Sequence, residues 1–230
     1  MKKRYFELDL LRGLAVVLMV VFHFGYDLAL FGYASYETTR DSEWIVFRGV
    51  VLSMFLLAVG MSSYLAYSTG INWKKLWMRS FKLLIVSLMI SLGSYLVFPD
   101  QWIYFGVIHF ILIATIGSLA FLRSPNLSLV IGFGIIGTYV LGYFHLDSLL
   151  EYTQKCCFIP KNTVDIVSFT PWFGVVLIGV FVMHKDYFGI RIKESKAGTG
   201  LAFLGKHSLL IYLFHQPILF AIFNMIKFIR

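Results

Sequence analysis

Arg12, His23 and Asp27 stand on one apolar stretch near the start of the chain, among Leu, Val, Met and Phe. Eleven positions separate Arg12 from His23. At about 100° per residue these make three turns plus roughly 20°, so the two share a helix face about 16 Å apart. Asp27 follows His23 by one turn and lies within reach of its imidazole. Ionisable groups inside an apolar helix are costly and mark sites. A guanidinium suits phosphate because its planar donors bind oxygens in pairs. A carboxylate beside an imidazole fixes its tautomer and raises its basicity, which is how a general base is oriented. Arg12 also has a plainer reading, snorkelling to headgroups with Glu7 and Asp9 as partners.

Further polar groups interrupt other apolar runs. His109 and His215 either line a site or hydrogen-bond neighbouring helices. Gln216 follows His215 directly, ahead of Pro217. Arg48 is placed to meet an anionic acceptor or lipid, and Trp172 ends an unusually apolar loop, 165–172, that either folds back over the outer side or simply enters a helix. His23, His109 and His215 offer no metal-ligand spacing on one helix, so no metal is expected. Cys156 and Cys157 are adjacent in a polar loop and read as unpaired thiols. His184 and His207 sit among lysines and read as surface residues.

Of 230 residues, 59% are hydrophobic and 14% charged, with mean hydropathy +0.79. Soluble domains carry about a quarter charged residues. The chain therefore reads as an all-α, multi-pass transmembrane bundle. Its net charge of +8 reflects basic loops on one side of a bilayer, not a nucleic-acid surface. The basic start resembles a signal peptide, but Glu7, Asp9 and Arg12 interrupt the apolar run and no small-residue cleavage site follows, so a retained helix is expected. A span needs about 20 mostly apolar residues. Seven runs qualify, at 8–31, 44–67, 77–98, 103–122, 127–144, 171–184 and 208–227, the sixth being short. No repeat or linker divides them, so residues 1–230 are expected to form a single domain.

Placing the N-terminus inside puts fourteen of the 20 Lys and Arg on the cytoplasmic side and six outside, the expected basic bias. Trp44, Trp73, Trp77, Trp102 and Trp172 then fall near helix ends. At about 1.5 Å per residue, His23 lies some 22 Å from the inner start of the first span, and His109 roughly 9 Å below the outer face. The two are expected at matching depth, with His215 nearer the midplane.

Several motifs occur in order along most of the chain. They are Leu8-Asp9-Leu10-Leu11-Arg12-Gly13-Leu14-Ala15 with Met19, Phe47-Arg48-Gly49, Phe55-Leu56-Leu57-Ala58-Val59-Gly60, Phe105-Gly106-Val107-Ile108-His109, Pro171-Trp172-Phe173-Gly174, and the run from Phe203 to Pro217. Together they resemble the catalytic-domain family of heparan-alpha-glucosaminide N-acetyltransferase, in its bacterial members. The spacing of Arg12 and His23 is also similar to the first-helix motif of bacterial membrane acyltransferases that O-acetylate glycans.

The resemblance implies transfer of an acetyl group from cytosolic acetyl-CoA to a sugar, glycan or lipid-linked sugar on the outer side of a bacterial inner membrane. Arg12, helped by Lys74, Lys75 and Arg79, would hold the CoA phosphates. His23, oriented by Asp27, would act as base or carry the acetyl group. Arg48, His109, Trp172, His215 and Gln216 would face the acceptor. Membrane lipids are expected partners, nucleic acid is not, and the oligomeric state is open, a homodimer included. In the lysosomal enzymes an Asn stands where His23 does, and their catalytic His lies in the loop after the first helix. Residues 32–43 hold no His here, so that residue has no counterpart in this chain. The rival reading is a non-enzymatic transporter or lipid-binding protein using the same polar stripe.

Overall fold

The structure is a computed structural model and describes residues 5–143, 159–160, 163–187 and 195–229. Cys156 and Cys157 lie outside the described residues, as do Lys2, Lys3, Arg4, Lys155, Lys161, Arg191, Lys193 and Arg230. The described elements are all helical: α1 (Phe6–Leu30), α2 (Ser42–Tyr67), α3 (Trp73–Val97), α4 (Val107–Ser118) with a 3-10 turn (Leu119–Phe121), α5 (Pro125–Val140), α6 (Trp172–His184), α7 (Lys196–Lys206) and α8 (Ser208–Ile229). α1, α2, α3 and α8 are long and apolar enough to cross a membrane, while α4, α5 and α6 are shorter apolar helices.

The apolar runs set where the helices lie, and local polar groups set where they stop. α3 starts a turn earlier than its apolar run because the Asn72 side chain accepts the Lys75 N–H and caps it. α4 starts later than its run. The Ile103 N–H donates to Ser94 Oγ and its carbonyl accepts from Ser91 Oγ, so residues 103–106 are tied to α3 instead of continuing a helix. α7 stands where no element is expected from the apolar runs. Its Gly-rich, lysine-flanked sequence has no apolar run, and Ser195 caps it by accepting the Gly198 N–H.

The helices gather into two compact units, Met1–Phe55 with Phe188–Arg230, and Leu56–Tyr187. In the first, α1 packs against α7 and α8. The approach of α1 and α7 is close. A Cβ added at Gly13 would run into the Leu201 carbonyl, and one at Gly205 into that of Asp9. Only glycine lets two backbones come so near. α8 runs parallel to α1, because His23 meets His215, Asp27 meets Gln216 and Phe31 meets Phe220 and Phe223 in turn.

In the second unit α5 packs on α6 and α3 on α4, around buried Phe110, Leu56, Met61 and Leu177. The loop before α6 folds inward. Val164 and Val167 donate to the carbonyls of Gln101 and Phe105, Val167 is fully buried, and Phe169 stacks on Phe173 at 4.8 Å.

Candidate functional site

The polar groups of the first unit meet between α1 and α8. His23 leans toward the preceding turn, as side chains on a helix do. Its Nδ1 lies 2.9 Å from the Met19 carbonyl. A carbonyl only accepts, so Nδ1 carries the proton and Nε2 presents a lone pair. His215 repeats the arrangement, with Nδ1 2.7 Å from the Tyr212 carbonyl. The two imidazole centroids are 4.6 Å apart, edge to face. His215 therefore lies at the depth of His23 rather than inward of it.

Asp27 is completely buried. Its Oδ1 accepts from Gln216 Nε2 at 2.8 Å. The expected pairing of Asp27 with His23 is therefore corrected: the orienting acceptor of His23 is the Met19 carbonyl one turn before it. Asp27 is held by α8 instead. Asp27 Oδ2, Gln216 Oε1 and His215 Nε2 are buried and have no hydrogen-bond partner among the described residues. All three are acceptors. A ligand entering here must bring N–H or O–H groups, because a buried acceptor left unpaired costs about 1–3 kcal/mol. Arg48 is half-buried, and its charge reaches the His23 ring.

Arg12 lies on the same helix toward its start, where Nη1 donates to buried Asp9 at 3.3 Å. That pair fits both readings of Arg12, since a carboxylate that fixes the guanidinium also presents its remaining edge.

The other expected site residues belong to the second unit. His109 is fully engaged. Its Nδ1 accepts the Gly106 N–H at 3.3 Å, and Nε2–H donates to Ser91 Oγ at 3.1 Å, which donates on to Ile103. These contacts make His109 a link between α3 and the start of α4. Trp172 is half-buried at the first residue of α6. Lys74 and Lys75 are exposed in the first turn of α3, and Arg79 is half-buried one turn on. No group of three metal-ligating side chains occurs among the described residues.

The Asp27–Gln216 link and the pairing of the histidines do not follow from helical spacing. One sequence signal pointed to them. His215-Gln216-Pro217 puts two polar residues beside a proline inside an apolar helix, where the missing N–H frees a carbonyl of the preceding turn.

Searches of curated proteins and of solved structures return no match. The profile described as heparan-alpha-glucosaminide N-acetyltransferase, catalytic, matches residues 4–217. That span takes in α1 and α8 as far as Pro217, with Arg12, His23, Asp27, His215 and Gln216 all inside it. An all-helical chain with four helices able to cross a membrane and a histidine pair between α1 and α8 fits a membrane acetyltransferase, and the chain belongs to the heparan-alpha-glucosaminide N-acetyltransferase catalytic family.

Proposed function

We propose that the chain transfers an acetyl group from acetyl-CoA to a hydroxyl or amine of a glycan or lipid-linked sugar, with His23 as base. The carrying observation is the His23 ring, whose Nδ1–H is held by the Met19 carbonyl so that Nε2 offers its lone pair. Nε2 takes the proton from the acceptor as its oxygen or nitrogen attacks the thioester carbonyl. The C–S bond breaks, the CoA thiolate leaves, and the proton on His23 returns to it. Asp27 Oδ2, Gln216 Oε1 and His215 Nε2 receive donors from the acceptor and so hold its nucleophile in line. Arg48 neighbours this group and favours an anionic acceptor.

Arg12 takes the CoA phosphates. It lies about 16 Å from His23 along α1, a distance for the extended pantetheine arm to cover. The reading needs donor and acceptor on opposite sides of the plasma membrane of a bacterial cell, with seven crossings and the N-terminus inside. The parallel course of α1 and α8 supports an odd number of crossings, and the basic residues support that orientation.

The test is purified full-length protein with labelled acetyl-CoA and a panel of cell-envelope glycans and lipids. Labelled acceptor with release of free CoA is expected. A folded protein that neither transfers nor hydrolyses acetyl-CoA would point to the transporter or lipid-binding reading.

A further inference from the structure

α3 has two unlike faces. Leu76, Ser80, Leu83 and Ser87 are buried, and Leu76 packs with Tyr67, Leu122 and Val180. On the other face Trp73, Trp77 and Phe81 follow at intervals of one turn and are 59%, 65% and 62% exposed. Lys74, Lys75 and Lys82 are exposed beside them, and Arg79 is half-buried. These four cations fall within residues 74–82, α3 contains no acidic residue, and none of the four has an ion-pair partner among the described residues.

For Lys74 and Lys75, in the first turn of α3, the position is electrostatically unfavourable on its own. The start of a helix already carries partial positive charge from its unpaired N–H groups, so cations there repel it. The cap at this end is Asn72, which is neutral. An anion must face this end for the arrangement to be favourable. Its chemistry follows from what comes next along the helix. Leu84, Ile85, Leu88, Met89, Leu92 and Leu96 are all exposed, so the cationic turn runs directly into an apolar face. Tryptophan and lysine above exposed aliphatic side chains match a headgroup zone above hydrocarbon. A soluble phosphate or CoA would meet the lysines but leave the apolar face bare.

We infer that this face of α3 binds an anionic phospholipid, its headgroup phosphate on Lys74, Lys75 and Lys82 and its acyl chains along Phe81, Ile85 and Leu88. These lysines then serve the bilayer rather than CoA. The site is independent of acetyl transfer, so its failure would leave the proposed reaction standing.

Trp73 and Trp77 supply the reporter. The full chain is placed in bilayers containing bromine-labelled phosphatidylglycerol or, in parallel, bromine-labelled phosphatidylcholine, and tryptophan fluorescence is measured. Stronger quenching by the anionic lipid is expected, and W73F/W77F should remove the excess. Each lysine lost should weaken the preference about fivefold, so K74Q/K75Q/K82Q should be quenched alike by both lipids. K196Q/K206Q, which removes exposed charge elsewhere, should keep the preference. The inference fails if the two lipids quench the wild type equally or if K196Q/K206Q loses the preference as fully as the triple variant. It fails too if inorganic phosphate or CoA at millimolar concentration displaces the anionic lipid.

Discussion

At the scale of single residues, the proposed chemistry depends on which acceptor each polar group holds. His23 is fixed by a backbone carbonyl, so replacing it takes a hydrogen bond from no other side chain. His23→Ala should lower transfer by about 10²–10⁴-fold, the usual share of a general base, with the thermal melt of the detergent-solubilised protein little changed. Substantial transfer by the folded variant would move the base elsewhere. Asp27 makes a different prediction. Asp27→Asn should raise the acceptor KM by roughly tenfold or more, as loss of a charged hydrogen bond does, and leave the KM for acetyl-CoA unchanged. The double variant D27N/Q216E keeps a carboxylate and an amide between α1 and α8 but exchanges their places. If Asp27 only ties the helices, the double variant restores both melt and KM. If Asp27 reads the acceptor, the melt recovers and the KM does not. Arg12→Lys should weaken acetyl-CoA binding although the charge is kept, since the paired donor geometry is lost. An unchanged affinity would leave Arg12 with headgroups alone. The stripe of Arg12, His23 and Asp27 was legible because helical spacing alone puts them on one face. The partner of Asp27 was not, since Gln216 lies 189 positions away and no local rule connects them.

At the scale of elements, close helix contacts decide what can be altered. Gly205 has the Asp9 carbonyl where a side chain would begin, whereas Gly200 on the same helix has open space. Gly205→Ala should therefore force α7 off α1 and destabilise by about 1–3 kcal/mol, the usual cost of overpacking. Gly200→Ala should be neutral or stabilising by up to about 1 kcal/mol, because alanine favours helix. The check is a melting comparison of the two variants. Equal melts would mean that the α1–α7 crossing is looser than it stands here. The long spans could be read from the sequence because apolar length is a strong signal. α7 could not, because it is held by glycine contacts to α1 that exist only once both helices are in place. The same holds for His109. Its helix was expected, but its bonds to Gly106 and Ser91 depend on a loop whose shape is set by α3.

At the scale of the whole molecule, the direction of the helices constrains how often the chain crosses the membrane. α7 packs beside Asp9 and Gly13, near the start of α1. α8 then follows α1 in the same direction, from His215 beside His23 to Phe223 beside Phe31. Two spans that run the same way require an odd number of crossings between them. If α1, α2, α3 and α8 alone crossed, only two crossings would lie between, and α8, as the fourth, would run against α1. The parallel course therefore favours an odd total, and crossing by α4, α5 and α6 as well gives seven. In the proposed orientation, which assigns fourteen of the 20 basic residues to the inner side, the start of α1, and with it α7, would face the cytoplasm. A reporter active only outside the cytoplasm should then work when fused after α8, and one active only inside should work at the N-terminus. In a C156S/C157S background, which removes the two native thiols, K206C, at the exposed end of α7, should react with a membrane-impermeant thiol reagent in inverted vesicles and stay unlabelled in intact cells. A C-terminal reporter active only in the cytoplasm would sink this topology, and with it the transfer of acetyl groups from inside to out.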